Sequence, residues 1–322
     1  MENIGFQDVE NLLPSQLFQL AEENYTKLNF PDAQYFYTLC IQKDPLNEEA
    51  ASQYADLLKQ TNQIEKAIQF LTQQIQYHRN EGDYRKYLQL ADLLDGHESI
   101  ELLETGIKLI LQHPNYNQQS DIKRDLSEAY SGLAEIYQTD FLHLPESEEK
   151  VIFCIKKAKE ADPTALDSYL QEANYFLNKE NEKDAKIALN TVLKGLEKLN
   201  EENDHHDDSF KINVCKLCIE VNDFESALPI LENMVLSNDA NFEAFYLLAF
   251  CHFKCNNFCT SLEYMETLLT KKEQFEDDGE LYTAAIELKA ELDKTDFQKG
   301  NDWKDEDENE QGNNDEDWMD ME

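Results

Sequence analysis

A large apolar residue, an alanine and a carboxylate follow one another at four places in this chain. The stretches are "LAEENY" from Leu20, "YADLLK" from Tyr54, "LADLLD" from Leu90 and "LAEIYQ" from Leu133. Polar breaks such as "NFPD", "TNQIE" and "KENEKD" separate the apolar stretches. This pattern predicts helices joined in pairs by short turns, with small residues where the two helices of a pair approach closely.

The small residues recur with a fixed period. Within a unit two of them lie 12 positions apart, as Ala21 and Ala33 do, and Asp-Pro pairs such as Asp44-Pro45 end a unit because proline disfavours helix in the residue before it. Four intervals of 34 residues relate neighbouring units: Ala21 to Ala55, Ala33 to Ala67, Cys215 to Ala249 and Ala227 to Ser261.

The 34-residue period, the alanines and the terminal proline resemble the tetratricopeptide repeat. The resemblance implies an all-α, right-handed superhelix of about seven helix pairs over residues 14–294, after an N-terminal lead of residues 1–13. The third unit is irregular, because Leu102 stands where a small residue is expected, and a last helix, "ELYTAAIELKAELDK", is predicted to cap the stack. A generic helical bundle is the alternative. The units are predicted to begin near Pro14, Glu48, Tyr84, Ser127, Leu166, Asp208 and Phe242.

Residues 295–322 differ in composition from the repeats. They are dominated by acids and asparagine, with almost no aliphatic residue. Such a segment cannot bury enough apolar surface to offset its chain entropy, so it is predicted to be a disordered acidic tail.

The charge balance favours one class of partner. Lysine and arginine number 28 against 67 aspartates and glutamates, a net charge of −39. This charge argues against direct binding of nucleic acid, favours a basic protein partner, and through self-repulsion favours a monomer. The N-terminus does not resemble a signal peptide, and no stretch is long and apolar enough for a membrane span. We therefore read the seven cysteines as reduced thiols and place the protein in the cytoplasm and nucleus.

The acid after each alanine is predicted to line a groove. If the alanine points into the helix packing, the next residue is rotated by about 100° and turns toward the concave face of a repeat stack. The early repeats would present acids there and the later repeats aromatic residues; solvated surface acids are the alternative interpretation. Glu49 and Glu128, at another groove-facing repeat position, are expected to add to these acids. The predicted groove residues are Glu22, Glu49, Asp56, Asp92, Glu128, Glu135, Tyr246, Phe250 and Phe253.

Catalytic and metal-binding motifs do not emerge from the sequence. "CKLC" at Cys215 has the spacing of a zinc half-site, but both of its cysteines occupy helix-packing positions, and packing is the better account. We find no phosphate-binding loop, zinc-protease motif or nucleophile elbow. The sequence therefore predicts a protein that is not an enzyme and uses no cofactor and no metal.

Residues 130–195 carry a more specific resemblance. "EIYQTD" after the alanine, an acidic insertion, a cysteine-bearing helix and "DP" are similar to the fungal dedicated assembly chaperones of large-subunit ribosomal protein four, and the tail ending in "DEDWMDME" fits too. The resemblance implies that the repeats capture this newly made basic protein, shield its extended internal segment and deliver it to the nucleus. A nuclear import receptor would then be reached through the client.

Two other functions are compatible with the same residues. One is a scaffold subunit that holds several proteins of a larger complex. The other is an acidic carrier of histones.

Overall fold

A computed structural model describes residues 11–77, 83–116, 118–199, 206–238, 240–274 and 279–295. The contacts divide the chain into two units, residues 1–200 and 201–322. The described part of the chain contains fifteen α-helices and one short 3-10 helix, with no strand. The predicted tail, apart from Thr295, and most of the predicted N-terminal lead lie outside the described residues.

The first unit contains five helix pairs. Their bounds are α1 Pro14–Thr26 and α2 Phe30–Lys43; α3 Glu48–Gln60 and α4 Ile64–Tyr77; α5 Arg85–Ala91 and α6 Gly96–Gln112; α7 Ser120–Thr139 and α8 Ser147–Ala161; and α9 Leu166–Asn178 and α10 Glu182–Leu196. Each helix packs against its pair partner, and two contacts join first helices of neighbouring pairs: α3 touches α5, and α7 touches α9.

The second unit contains two further pairs and a final helix. The bounds are α11 Asp208–Glu220 and α12 Phe224–Ser237; α13 Phe242–Lys254 and α14 Phe258–Thr270; and α15 Gly279–Leu292. Helix α15 packs on α13 and α14 through the buried side chains of Ala285 and Leu288. The structure thus confirms the predicted helix pairs and capping helix.

The small residues lie in the helix packing, as the sequence predicted. Ser261 shows the reason, because its hydroxyl donates to the carbonyl oxygen of Ala249 at 2.7 Å, which requires a side chain short enough for the two helices to touch. Such residues are at most 3% exposed in both units: Ala21, Ala33, Ala55, Ala67, Ala91, Ala134, Ala173, Ala185, Cys215, Ala227, Ala249 and Ser261.

The turn within a pair has one repeated backbone geometry. In five of the seven pairs the residue two positions before the second helix has a positive φ, between 55° and 63°. Asparagine tolerates this left-handed conformation better than most residues, and it occupies three of the five positions. The residues are Leu28, Asn62, Glu180, Asn222 and Asn256. The third and fourth pairs depart from this turn.

The third pair is irregular in a different way from that predicted. Leu102 is half-buried, and the small residue of the second helix is Ser99, which is 2% exposed and donates from Oγ to the carbonyl oxygen of Ala91 at 2.8 Å. This contact matches that of Ser261 with Ala249, but its residues are eight positions apart instead of twelve. The third pair therefore lacks about one helical turn between its helices.

Replacing Ser99 with leucine is expected to lower the free energy of unfolding by about 1–3 kcal/mol, because the larger side chain overpacks the contact between α5 and α6. Glu98→Leu, at the exposed neighbouring position, is the control and should change the stability by a few tenths of that amount. Urea unfolding followed by circular dichroism measures both variants. Equal effects in the two variants would show that Ser99 is not the packing position.

The fourth pair begins earlier than predicted. Helix α7 starts at Ser120 rather than near Ser127, because its first two turns bury Ile122 and Leu126 in the same core cluster as Tyr84. The Tyr84 hydroxyl also donates to Asp125 at 2.6 Å. This contact anchors the added turns of α7 to the start of the third pair.

Candidate functional site

The predicted groove acids of the first unit lie on or beside first helices. Glu22 is half-buried on α1, and its carboxylate accepts a hydrogen bond from the Tyr37 hydroxyl of α2. The others are exposed: Glu49 and Asp56 on α3, Asp92 immediately after α5, and Glu128 and Glu135 on α7.

Three of these acids meet in one cavity, which we call the acidic cleft. It has a volume of about 480 Å³ and lies among α5, α6 and α7. Leu88, Ala129 and Ile136 belong to its apolar wall, and its described lining includes no lysine or arginine. Its carboxylates are Asp92, Asp95, Glu128, Glu135 and Asp140.

Glu49 belongs to a different cavity, the second cleft, of about 510 Å³. Glu48, Asp83 and Tyr84 also line the second cleft, together with Arg85. Glu49 and Glu128, which occupy the same repeat position on α3 and α7, therefore line different clefts. We call the face of α3, α5 and α7 that carries both clefts the acidic groove.

Two of the groove acids already have cationic partners within the chain. Lys59 forms an ion pair with Asp92 across one repeat, and Arg124 Nε lies 3.7 Å from Glu128 Oε1. Both pairs are solvent-exposed, so each contributes little to stability and can open for another cation. The repulsion along the groove is thus relieved in part without a ligand, which the sequence alone did not indicate.

The acidic cleft makes ionisation of two of its carboxylates, Glu128 and Glu135, unfavourable. Burial against the wall, followed by the negative charges of Asp167 and Asp125, raises the pKa of Glu128 to about 7. Burial, then Asp167 and Asp92, also raises the pKa of Glu135. The Glu128 side chain is nevertheless 52% exposed. Water therefore reaches it from the open side of the cleft, and this contact screens part of the repulsion.

We expect Glu128→Gln to stabilise the protein above pH 7. The folded-state pKa is raised, so the stability that protonation of Glu128 contributes is present below the unfolded pKa near 4.5 and is lost as the pH rises through about 7. The amide cannot ionise, so at pH 8 the variant should be more stable by about 1 kcal/mol, a figure reduced for the exposure of the side chain.

Urea unfolding at several pH values from 4 to 8 measures this difference. Asp121→Asn is a matched control, because Asp121 also lies beside Arg124 on α7, at 3.9 Å, but its side chain is 80% exposed. Parallel pH profiles for wild type and Glu128→Gln would contradict the expectation.

The predicted aromatic residues lie in the second unit and are half-buried. Tyr246 and Phe250 stack with ring centroids 6.2 Å apart, and Phe250 also contacts Phe224 at 6.3 Å. Phe253 meets Phe258 edge to face at 5.7 Å. All three predicted residues pack on the core beneath α15. They therefore contribute to repeat packing while keeping part of each ring accessible.

Sequence reasoning missed four residues of the acidic groove. Asp95 and Asp140 lie in the irregular turns of the third and fourth pairs, and Asp140 accepts from the backbone N–H of Gly96 at 3.1 Å. Gln89 and Gln171 donate to groove acids, as described below. A signal for the glutamines was available, because each lies two residues before a packing alanine.

The cysteines of "CKLC" lie in the helix packing. Cys215 and Cys218 are fully buried, and burial raises the pKa of the Cys218 thiol to about 12. Burial likewise raises the pKa of Cys251 to about 12. In the described segments, no three His, Cys, Asp or Glu side chains converge in a way that could hold a metal ion. Among the described helices, none has the length and apolar character needed to cross a membrane.

The described helix pairs have the fold of a tetratricopeptide-repeat stack. The tetratricopeptide repeat family profile matches residues 29–90, which cover α2 to α5. The helix pairs, the packing alanines and the repeated turn extend the same architecture to the other pairs.

Among known proteins the chain resembles assembly chaperones of RpL4. It is 26% identical over 183 residues to the "Probable assembly chaperone of rpl4" of Schizosaccharomyces pombe; the match covers 55% of this chain and 54%, about half, of that relative. Among solved structures it matches residues 1–338 of "Assembly Chaperone of RpL4 (Acl4)", with a TM-score of 0.61 at 18% identity, over 76% of this chain and 98% of the other. The structural match concerns the fold.

Proposed function

We propose that this protein is a dedicated chaperone that binds and shields newly made RpL4 through its acidic groove. It acts by binding and not by catalysis. The observation that carries the proposal is the acidic cleft, where two carboxylates of the first helix α7 meet three more from the ends of first helices and the turns that follow them. The names of the sequence relative and of the structural neighbour identify RpL4 as the client to test.

The extent of the groove favours an extended client segment. The two clefts follow α3, α5 and α7, which are first helices of successive pairs. Packed helices lie about 8–10 Å apart, and an extended chain advances about 3.3 Å per residue, so a segment of about six residues would span the three helices. A lysine or arginine at about every third residue would then meet each helix in turn.

The raised pKa of Glu128 supports a cationic ligand. A carboxylate whose charge is opposed by burial and by Asp167 and Asp125 gains when a positive charge enters the cleft. The exposed Lys59 and Arg124 can be displaced by client side chains, because such surface pairs are weak.

The proposal includes a location and an assembly state. The chaperone would meet its client in the cytoplasm and accompany it into the nucleus, with an import receptor recruited by the client. With a net charge of −39 it would act as a monomer, since copies of the chain repel one another.

Two experiments test the proposal. The first is a pull-down from cell extract in the presence of RNase, and the second is a titration of purified RpL4 onto the full-length chain. A single dominant RpL4 band and direct binding would support it. Histones as the main capture would favour the acidic carrier, and a set of unrelated proteins would favour a scaffold. Failure of purified RpL4 to bind would refute the proposed function.

A further inference from the structure

Glutamine recurs at one position of the repeat. It lies two residues before the packing alanine in four of the five first helices of the first unit, as Gln19, Gln53, Gln89 and Gln171. Helix α7 is the exception, with Gly132 at that position. The acid of the acidic groove, where present, follows the same alanine, so glutamine and acid have a fixed spacing along each helix.

Gln171 reaches the acidic cleft from the neighbouring pair. Its side chain is 8% exposed, and its Nε2 donates to Glu135 Oε2 at 3.3 Å, from α9 to α7. Its Oε1 accepts from Nε2 of Gln138, which is 5% exposed, at 3.0 Å. Two buried amides in series therefore support a carboxylate that lines the acidic cleft.

Gln89 makes the same contact two helix pairs earlier. Its Nε2 donates to Asp56 Oδ1 at 2.8 Å, from α5 to α3, and to the Ser52 hydroxyl at 3.0 Å. The Gln89 side chain lines the acidic cleft. In both cases the glutamine of one pair donates to the groove acid of the preceding pair.

The direction of these bonds is fixed by chemistry. An ionised carboxylate only accepts hydrogen bonds, so each amide must turn its nitrogen toward the acid. Among the described residues, the carbonyl oxygens of Gln89 and Gln138 are buried without a hydrogen-bond donor. Buried acceptors without donors are unfavourable and rare in native proteins, which indicates that the orientation toward the acid is maintained against this cost.

We propose that Gln89 and Gln171 are positioning residues that hold Asp56 and Glu135 as ionised acceptors facing the acidic groove. The role rests on the proposed function, since it prepares the groove for a cationic client. One carboxylate oxygen accepts from the glutamine, and the other remains available for a lysine or arginine. At Asp56 the hydrogen bond from the amide also opposes the surroundings that disfavour ionisation.

Those surroundings come from several elements. Glu135 faces Asp167 of α9 and Asp92 after α5, with Glu128 in the same cleft. Burial raises the pKa of Asp56, and the hydrogen bond from Gln89 acts in the opposite direction. The negative charge of Asp92 also raises the pKa of Asp56, and the positive charges of Lys59 and Arg85 lower it.

The test replaces Gln171 with methionine, which has similar length but no donor. Gln138 then keeps the backbone carbonyl oxygen of residue 171 as its acceptor, so the fold should persist. Carboxyl-carbon NMR of the free full-length protein should show Glu135 titrating at higher pH than in wild type. RpL4 binding should weaken by about three- to tenfold at pH 7, because Glu135 loses the donor that holds its carboxylate toward the acidic groove.

Gln89→Met is an independent second variant, in which the NMR titration of the Asp56 carboxyl carbon is measured. Gln19→Met is the matched control, because the Gln19 amide donates to Glu23 of its own helix at 3.3 Å; it should change neither titration nor binding. Unchanged titrations of Glu135 and Asp56 in the two variants would overturn the positioning role. If the titrations of Glu135 and Asp56 shift in the variants but the wild-type protein does not bind RpL4, the positioning role stands and only the proposed function is refuted.

Discussion

Neutralising three acids of the acidic cleft, with Asp92→Asn, Glu128→Gln and Glu135→Gln in one chain, is expected to weaken RpL4 binding by about a hundredfold at low salt. Close charge pairs at protein interfaces couple strongly, by about 1.5 kcal/mol or more each. The pairs of Asp92 with Lys59 and of Glu128 with Arg124 compete with the client, so we expect about 1 kcal/mol from each acid. Isothermal titration calorimetry with purified RpL4 measures the change.

The control variant separates the cleft from the overall charge. Glu101, Glu104 and Glu149 are exposed on second helices and line neither cleft, and their change to glutamine alters the net charge from −39 to −36, as in the cleft variant. The control should retain nearly all of its affinity. Equal losses in the two variants would show that the chain binds through diffuse charge and that the cleft has no special role.

The affinity for RpL4 is also expected to fall by about a hundredfold or more as the salt concentration rises from 0.05 M to 0.5 M. The groove acids are mostly exposed, and the distance over which such charges act shrinks from about 10 Å at 0.1 M salt to about 3 Å at 1 M. Titrations at four or five salt concentrations give the slope. The cleft variant should show a shallower slope than wild type, because it has fewer charges to screen.

A flat salt response would contradict the electrostatic account. Apolar contacts would then carry the affinity, and the partly accessible rings of Tyr246, Phe250 and Phe253 would be the first candidates to replace by alanine. Such a result would leave the chaperone proposal in place but move its main site to the second unit.

Much of the fold was predictable because its signals are local. Alanine at a fixed interval, asparagine in the left-handed turn and Asp-Pro at a unit end each act within one or two turns of helix. The predictions were wrong where a tertiary contact, and not the repeat spacing, determined the position of a residue or the start of a helix. Ser99 takes the small position eight residues after Ala91 instead of twelve, and α7 gains two turns because Ile122 and Leu126 are buried in a core cluster.

The candidate site was predictable only as a set of positions. That Asp92, Glu128 and Glu135 share a cleft follows from the packing of α5, α6 and α7, whereas Glu49, at the same repeat position as Glu128, lines the second cleft. Asp95 and Asp140 were missed because they belong to turns whose course depends on the irregular third and fourth pairs.

By itself, the sequence determined that this protein is a stack of helix pairs with an acidic face, because repeat periodicity and charge are properties of neighbouring residues. The tertiary structure decided which acids share a cleft, which of them meet Lys59, Arg124, Gln89 or Gln171, and how strongly their ionisation is opposed. The physical reason is that most of these partners lie 33 to 36 residues away, in adjacent repeats. A carboxylate's pKa depends on such neighbours and on the water that the packed helices exclude.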